Sequence, residues 1–202
     1  MSLSQSISVT PIRTPSLGDT SYLVSDGAAA VVVDPQRDID RFEEPIDRLG
    51  LELSAVLETH VHNDYVSGGP ELARRAGARM IVPAAAAPSY RSEPAFHHEP
   101  ITLGSMTLVP IHTPGHTPEH TSYLVMVDDT EIAVFSGGSL LVGAAGRSDL
   151  LGPERAETLS RLQFRSVNRL ASLPGEVEVH PTHGQGSFCA CLLYTSPSPR
   201  DP

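Results

Sequence analysis

The chain has 202 residues, enough for one domain with a substantial core, and 40% of them are hydrophobic, as in ordinary soluble proteins. Its formal net charge is −10, it contains arginine but no lysine, and no basic run or apolar run of membrane-spanning length occurs. We therefore expect neither nucleic acid nor a membrane as a partner. The first residues lack the basic and apolar regions of a signal peptide, which predicts a cytoplasmic protein.

The first half of the chain alternates strands with helices. Apolar runs predict strands at residues 7–12, 21–24, 28–33, 53–57 and 79–82. Asp26-Gly27 is a strong turn signal between the second and third of these strands. Helical spacing of apolar residues predicts helices over 39–49 and 70–76, each followed by a glycine.

The second half begins with an irregular stretch, residues 84–100, in which three prolines and the pair His97-His98 predict a loop. Four strands are then predicted at residues 101–103, 106–111, 122–127 and 131–135. A glycine-rich loop over 137–152 holds Arg147 and Asp149, for which we expect a local ion pair. The clearest helix spans 155–173, and a last strand is predicted at 176–179.

Two histidines and a carboxylate follow the strand at 53–57. His60, His62 and Asp64 occupy alternate positions, and side chains at i and i+2 share a face in an extended chain. Neutral imidazole and carboxylate are ligands that zinc and iron accept. This motif alone is equally well explained by chance polar residues in a surface loop.

Two further turns decide between these interpretations. Thr113-Pro114-Gly115-His116-Thr117 follows the apolar run at 106–111, and Pro181-Thr182-His183-Gly184 follows the run at 177–179. Clusters of histidine and aspartate at the ends of several strands are typical of a functional site. The sequence therefore predicts a metal centre that draws on three separate segments.

Taken in order, these motifs resemble the metallo-β-lactamase fold superfamily. Residues 113–120, 134–140 and 146–152 are most similar to its persulfide dioxygenase and glyoxalase II branch, especially to the metallo-β-lactamase domain of bacterial members fused to rhodanese modules. The resemblance implies an α+β fold, a four-layer αββα sandwich with two sheets inside and helices outside. It covers residues 7 to about 189, and we expect residues 1–190 to form this domain.

The end of the chain departs in style from the rest. Residues 191–202 alternate serine and proline and cannot contribute to a core, so we expect an aberrant or disordered tail after a truncated C-terminus. Only two cysteines occur, Cys189 and Cys191, which do not support a disulfide framework or a common zinc motif.

The resemblance also implies a set of metal ligands. In its two-metal members three histidines hold the first metal, and the corresponding residues here are His60, His62 and His116. The second metal would retain Asp64 and His183. We therefore predict metal-ligating roles for all five residues.

Two departures from the family pattern affect this set. Tyr65 stands where the family has a histidine, and Gly138 stands where it has a shared metal-binding aspartate. One complete and one broken site predict a single divalent metal, with Fe(II) favoured and Zn(II) as the alternative. We predict catalytic roles for Asp64 and Tyr65, and we expect Gly138→Asp to raise metal affinity.

Three functions stay open at this point. The favoured one is persulfide dioxygenase-like oxidation of a thiol persulfide, such as glutathione persulfide, to sulfite with O2, in which Asp64 supplies the carboxylate of a mononuclear iron site. The second is thioester hydrolysis of the glyoxalase II type at zinc. The third is a non-catalytic domain with an incomplete site. The expected partners are a small-molecule thiol persulfide or thioester and a rhodanese module.

Overall fold

The computed structural model of the protein describes residues 7–184 and 187–189, so the predicted tail and Cys191 lie outside the described residues. The strands, in chain order, are β1 (Ser8–Thr14), β2 (Asp19–Ser25), β3 (Ala29–Val33), β4 (Glu52–Leu57), β5 (Arg79–Pro83), β6 (Glu93–Ala95), β7 (Ile101–Leu103), β8 (Met106–His112), β9 (Thr121–Val127), β10 (Thr130–Gly137), β11 (Leu140–Leu141), β12 (Ala144–Ala145) and β13 (Glu178–Pro181). The helices are α1 (Asp40–Leu49), α2 (Gly69–Ala76) and α3 (Pro153–Ala171).

Two sheets contain all but the two shortest of these strands. The first has the order β1-β2-β3-β4-β5-β6, antiparallel up to β3 and parallel from β3 onward. The parallel steps need crossover connections: α1 joins β3 to β4, α2 joins β4 to β5, and the loop 84–92 joins β5 to β6. The second has the order β13-β10-β9-β8-β7, antiparallel except for the β10–β13 pair.

Three apolar clusters separate four layers. The largest lies between the two sheets and joins side chains such as Leu57 and Phe135. A second packs Phe42 of α1 and Leu72 of α2 on the outer face of the first sheet. The third places Leu170 of α3 on the outer face of the second sheet. The predicted α+β fold, with two sheets inside and helices outside, is therefore confirmed.

Most predicted elements are confirmed, and the differences have tertiary causes. The loop predicted over 84–100 contains the short strand β6, which extends the first sheet by pairing with β5. The last strand runs to Pro181, because β13 aligns with the end of β10 in parallel register. None of the helices in the described segments has the length and apolarity that crossing a bilayer requires.

The strand ends that carry the histidine motifs meet at one edge of the two packed sheets. Asp34 follows β3, His60 follows β4, and His183 follows β13. His116 lies in the connection between β8 and β9. The fold thus brings together groups that are up to 164 positions apart in the sequence, as in the pair Asp19 and His183.

Candidate metal centre

Three buried histidines face one another at this edge. His60, His116 and His183 are fully buried, and one ring nitrogen of each lies within 4.8 Å of the others. We refer to these three residues as the histidine trio. The other nitrogen of each ring is hydrogen-bonded by a different part of the fold. These hydrogen bonds decide which nitrogen of each ring faces the centre.

His60 is oriented by the residue before it. The Thr59 hydroxyl donates a hydrogen bond of 2.7 Å to Oδ2 of Asp34 and lies 2.9 Å from Nδ1 of His60. Because its only hydrogen goes to the carboxylate, the hydroxyl must accept from Nδ1–H of His60. The Nε2 lone pair of His60 therefore points to the centre.

His116 is oriented by one hydrogen bond of its ring and one of its backbone. Its Nδ1–H donates to the carbonyl of Arg147 at 2.8 Å, and its backbone N–H donates to Oε1 of Gln163 at 2.8 Å. Its Nε2 is buried and has no hydrogen-bond partner among the described residues. A buried nitrogen lone pair without a partner is costly, and a bound cation would satisfy it.

His183 completes the trio from the far end of the chain. Its Nδ1 donates to Oδ1 of Asp19 at 2.9 Å, and its Nε2 lies 3.1 Å from Nε2 of His60. Two ring nitrogens that face each other at this distance need either a shared proton or a cation between them. Asp19 is itself buried, so its carboxylate holds the ring in place.

The electrostatics of the trio favour a cation over protons. Burial and the charges of neighbouring histidines hold the pKa of His60 well below its usual range. Burial, together with His183, lowers the pKa of His116 to about 4. Neutral imidazoles are the protonation state that metals require, and three of them with one open position form the donor set of catalytic zinc sites. The residues present therefore fit a divalent metal.

His62, two residues after His60, has a different environment. Its Nε2 lies 3.1 Å from Oδ1 of Asp34 and 3.3 Å from Oε2 of Glu58, and all three side chains are buried. Burial alone would lower the pKa of His62, but the two carboxylates raise it to about 10. We call these three residues the Asp34 cluster. The predicted set His60, His62 and His116 therefore differs from the trio, and His62 also belongs to a possible metal-binding group with Asp34 and His60.

Asp34 was missed by the sequence analysis. Besides the contact with His62, its carboxylate accepts hydrogen bonds from the backbone N–H of Thr59 at 2.7 Å and from the hydroxyls of Thr59 and Thr182. Burial raises the pKa of such a carboxyl, yet the charge of His62 and these hydrogen bonds lower it overall. Asp34 also has a positive φ of 52°, an unusual conformation whose only sequence signal is its place directly after β3 and before Pro35.

Asp64 and Tyr65 lie beside the trio with unequal access to it. Oδ2 of Asp64 is 3.5 Å from Nδ1 of His183, Oδ1 is 4.0 Å from Nδ1 of His62, and these three residues form a second possible metal-binding group. The Tyr65 hydroxyl instead donates to the carbonyl of Asp34 at 3.1 Å, and its ring stacks on His62. Each of the five predicted ligands thus belongs to at least one possible metal-binding group. Tyr65 contacts His62 with its ring, and its hydroxyl is bonded to the Asp34 carbonyl.

The space beside Gly138 is occupied by the ring of His116. A Cβ built on Gly138 would lie 2.2 Å from Cδ2 of His116, so the His116 ring occupies the space that a side chain would need. The backbone N–H of Gly138 donates to Nε2 of His120 at 3.0 Å, which makes His120 a satisfied core histidine. A side chain at position 138 would displace the His116 ring, so we expect Gly138→Asp to lower metal affinity and not to raise it.

Arg147 and Asp149 form the predicted local ion pair. The guanidinium donates two hydrogen bonds to the carboxylate, at 2.7 and 2.8 Å. This pair holds the segment whose carbonyl orients His116, so its role in the described structure is to support the trio.

Comparison with known proteins places the chain among relatives of the same architecture. Residues 17–183 match the family model described as metallo-beta-lactamase superfamily. A human hydroxyacylglutathione hydrolase-like protein is 32% identical over 145 residues, which cover 71% of this chain and 48% of that protein. The chain spans about half the length of the first curated relatives it matches.

Solved structures show the same similarity. A metallo-beta-lactamase from Staphylococcus aureus superposes with a TM-score of 0.82 at 29% identity, covering 91% of this chain and 58% of that one. ETHE1 from Myxococcus xanthus superposes with a TM-score of 0.77 at 28% identity, covering 91% and 78%. The region 17–183 that matches the family model includes all three residues of the histidine trio.

Proposed function

The chain belongs to the metallo-beta-lactamase superfamily, and from that premise we propose that it hydrolyses a thioester at a single divalent metal ion. The observation that carries this proposal is the histidine trio, in which three ring nitrogens converge without a carboxylate among them. Three histidines with an open position form one of the donor sets of catalytic zinc sites, whereas mononuclear iron oxygenases use two histidines and a carboxylate. The similarity to a hydroxyacylglutathione hydrolase-like protein supports the same reaction class.

The metal would supply Lewis acidity, polarising the thioester carbonyl and making water nucleophilic at neutral pH. The protein's own groups prepare the site. Thr59, Asp19 and the Arg147 carbonyl hold the three imidazoles by their Nδ1 sides. We assign Asp64 as the proton acceptor, because its Oδ1 is buried without a hydrogen-bond partner among the described residues.

Persulfide oxidation remains a second candidate. Its specific support is the group His62, Asp64 and His183, which is a two-histidine, one-carboxylate set. The sequence favours this reaction, whereas the three-histidine trio supports hydrolysis. Without a metal, the carboxylates of Asp34 and Glu58 raise the pKa of His62 to about 10, so iron binding to this ring would have to displace a proton.

The finer expectations about context stay predictions from the sequence. They are a small thiol persulfide or thioester as substrate, a rhodanese module as partner and a cytoplasmic location. The substrate class is consistent with relatives whose names denote hydrolases of glutathione thioesters.

A metal-binding comparison of two histidine variants tests the proposal. We expect one equivalent of Zn²⁺ per chain by titration calorimetry. His116→Gln should lower zinc affinity more than about 100-fold, because loss of even a supporting partner costs about 10- to 100-fold. His62→Gln should lower it by less than about tenfold, since that ring faces the carboxylates. His98→Gln, an exposed histidine outside the site, is the control.

Activity assays of the loaded protein then separate the candidates. Thioester cleavage that disappears in His116→Gln supports hydrolysis. Oxygen uptake with a persulfide, abolished by Asp64→Asn, would favour the iron-dependent reaction instead. A folded, metal-bound protein that catalyses neither reaction would establish the non-catalytic interpretation. Two tightly bound equivalents of zinc would contradict the single-metal site.

A further inference from the structure

A cavity of about 480 Å³ opens beside the metal centre. Its floor is formed by Glu58, His60 and His62, and its walls come from the loop after His60 and from the segment after β5. We call it the entrance cavity. Its size falls in the range of small-molecule sites, and His60 of the histidine trio lines it, so a ligand in this cavity lies next to the centre.

The walls of the entrance cavity are apolar. They consist mainly of the following side chains: Val61, Val66, Val82, Pro83, Ala86 and Tyr90. Val61 and Val66 are 57% and 65% exposed, although large apolar side chains are usually covered. Apolar side chains exposed together at the rim of a site indicate that a ligand covers them.

The charges around the entrance cavity disfavour anions. In the part of the chain that the structure describes, no arginine lines it, and the sequence contains no lysine. Glu58 contributes a carboxyl group to the floor, and the net charge of the chain is −10. A ligand with free carboxylates would lose hydration here, and the cationic group on the floor, His62, is already paired with the carboxylates of Asp34 and Glu58.

Three arginines line a neighbouring cavity. A larger space of about 620 Å³ beside α2 is lined by Arg74, Arg79 and Arg91, and Tyr90 borders both cavities. Arg74 pairs with Glu71, and Arg79 pairs with Glu93. These two cations are therefore already neutralised by neighbours outside the entrance cavity.

We infer that the entrance cavity binds a thiol compound whose carbon skeleton is uncharged and apolar, such as an aryl or alkyl thioester, in preference to a glutathione conjugate. The inference rests on the proposed function for the bond that is cleaved, but the binding preference itself follows from the cavity walls. Glutathione carries two carboxylates and is the thiol that the names of the relatives indicate, so the two classes make different predictions.

Calorimetry with two thioethers that cannot be hydrolysed tests the preference directly. We use benzyl methyl sulfide as the neutral probe and S-methylglutathione as the anionic probe, each titrated into the full chain. We expect a Kd at least about tenfold lower for the neutral probe, because it buries apolar surface without desolvating a charge. Equal or tighter binding of S-methylglutathione, or no measurable binding of the benzyl probe at millimolar concentration, would overturn the inference.

A charge introduced at the rim sharpens the test. Val66→Arg places a cation on the cavity wall, and we expect it to raise the affinity for S-methylglutathione about two- to fivefold and to lower the affinity for the benzyl probe. Val61→Arg is the second variant in case the first disturbs the loop, which circular dichroism checks. Val142→Arg is the matched control, since Val142 is 84% exposed in the turn between β11 and β12 and does not line the cavity.

Two further outcomes keep the inference separate from the proposed function. If the zinc-loaded protein cleaves neither phenyl thioacetate nor S-lactoylglutathione while the neutral probe still binds, the proposed function fails and the inference stands. If S-lactoylglutathione is the better substrate and Arg91→Ala weakens S-methylglutathione binding, the arginine-lined cavity receives the ligand. That result would overturn the inference while leaving the hydrolase proposal intact.

Discussion

The histidine trio and the Asp34 cluster contain the same residue type and share one edge of the fold, yet they have opposite electrostatics. In the trio, His60 and His116 have lowered pKa values and direct unprotonated nitrogens at one another. In the Asp34 cluster, His62 has a raised pKa and directs a protonated nitrogen at two carboxylates. His60 and His62 are two positions apart, and their rings lie with centroids only 4.0 Å apart.

The difference comes from what each ring faces on its far side. The trio is held by acceptors on the Nδ1 side, which leaves Nε2 free to bind a cation. His62 has its Nε2 against the carboxylates of Asp34 and Glu58, which favour the charged form. A histidine spacing that predicts two equivalent ligands therefore yields two residues in different environments, one in the trio and one in a buried ion pair.

Removing the Asp34 carboxylate should have the largest effect on stability. We expect Asp34→Asn to lower the free energy of unfolding by about 3–5 kcal/mol, because it leaves a buried imidazolium without its main partner. Urea denaturation measures this loss. Asp38→Asn is the control in the same segment, and its exposed pair with Arg41 should matter by less than about 1 kcal/mol. Similar small costs for both variants would show that His62 is not held as a cation.

The pH dependence of stability in the metal-free protein should separate the two regions. His62 has a folded pKa of about 10 against an ordinary value of 6.5, so its contribution is fully present below pH 6.5 and is lost as the pH rises to about 10. His116 has a folded pKa of about 4, so the unfolded chain binds more protons below pH 6.5 and stability falls as the pH drops toward 4.

Unfolding measured by urea across this range should therefore show a maximum near pH 6.5, with losses of a few kcal/mol on each side. His62→Gln should flatten the alkaline side and leave the acid side unchanged. An alkaline decline that persists unaltered in His62→Gln would assign it to other groups and break the contrast between the two regions.

The smallest expected effect concerns the space beside the trio. Gly138→Ala should cost about 1–3 kcal/mol, because the new Cβ meets the His116 ring and overpacks a buried site. Zinc affinity should fall as well, since the ring must move. Gly175→Ala is the matched control, as a Cβ there meets nothing within 4 Å. A Gly138→Asp variant that binds zinc more tightly than the parent would show that the displaced ring still reaches the metal.

Local pattern was enough to predict most of the fold. Apolar runs, the Asp26-Gly27 turn and the helical spacing over 39–49 and 155–173 located nearly every long element, because secondary structure follows residue periodicity and turn chemistry. The short strand β6 escaped prediction, since it is defined by backbone pairing with β5 and carries no alternating pattern of its own.

The candidate site, too, was determined partly by local pattern and partly by tertiary structure. The sequence by itself marked five candidate ligands in polar turns that follow apolar strands: His60, His62, Asp64, His116 and His183. Only the tertiary structure decided that Asp34 and Glu58 flank His62, that Asp19 supports His183, and that His116 fills the space beside Gly138. Protonation and orientation depend on neighbours brought together by folding, and those neighbours come from segments that share no pattern along the chain.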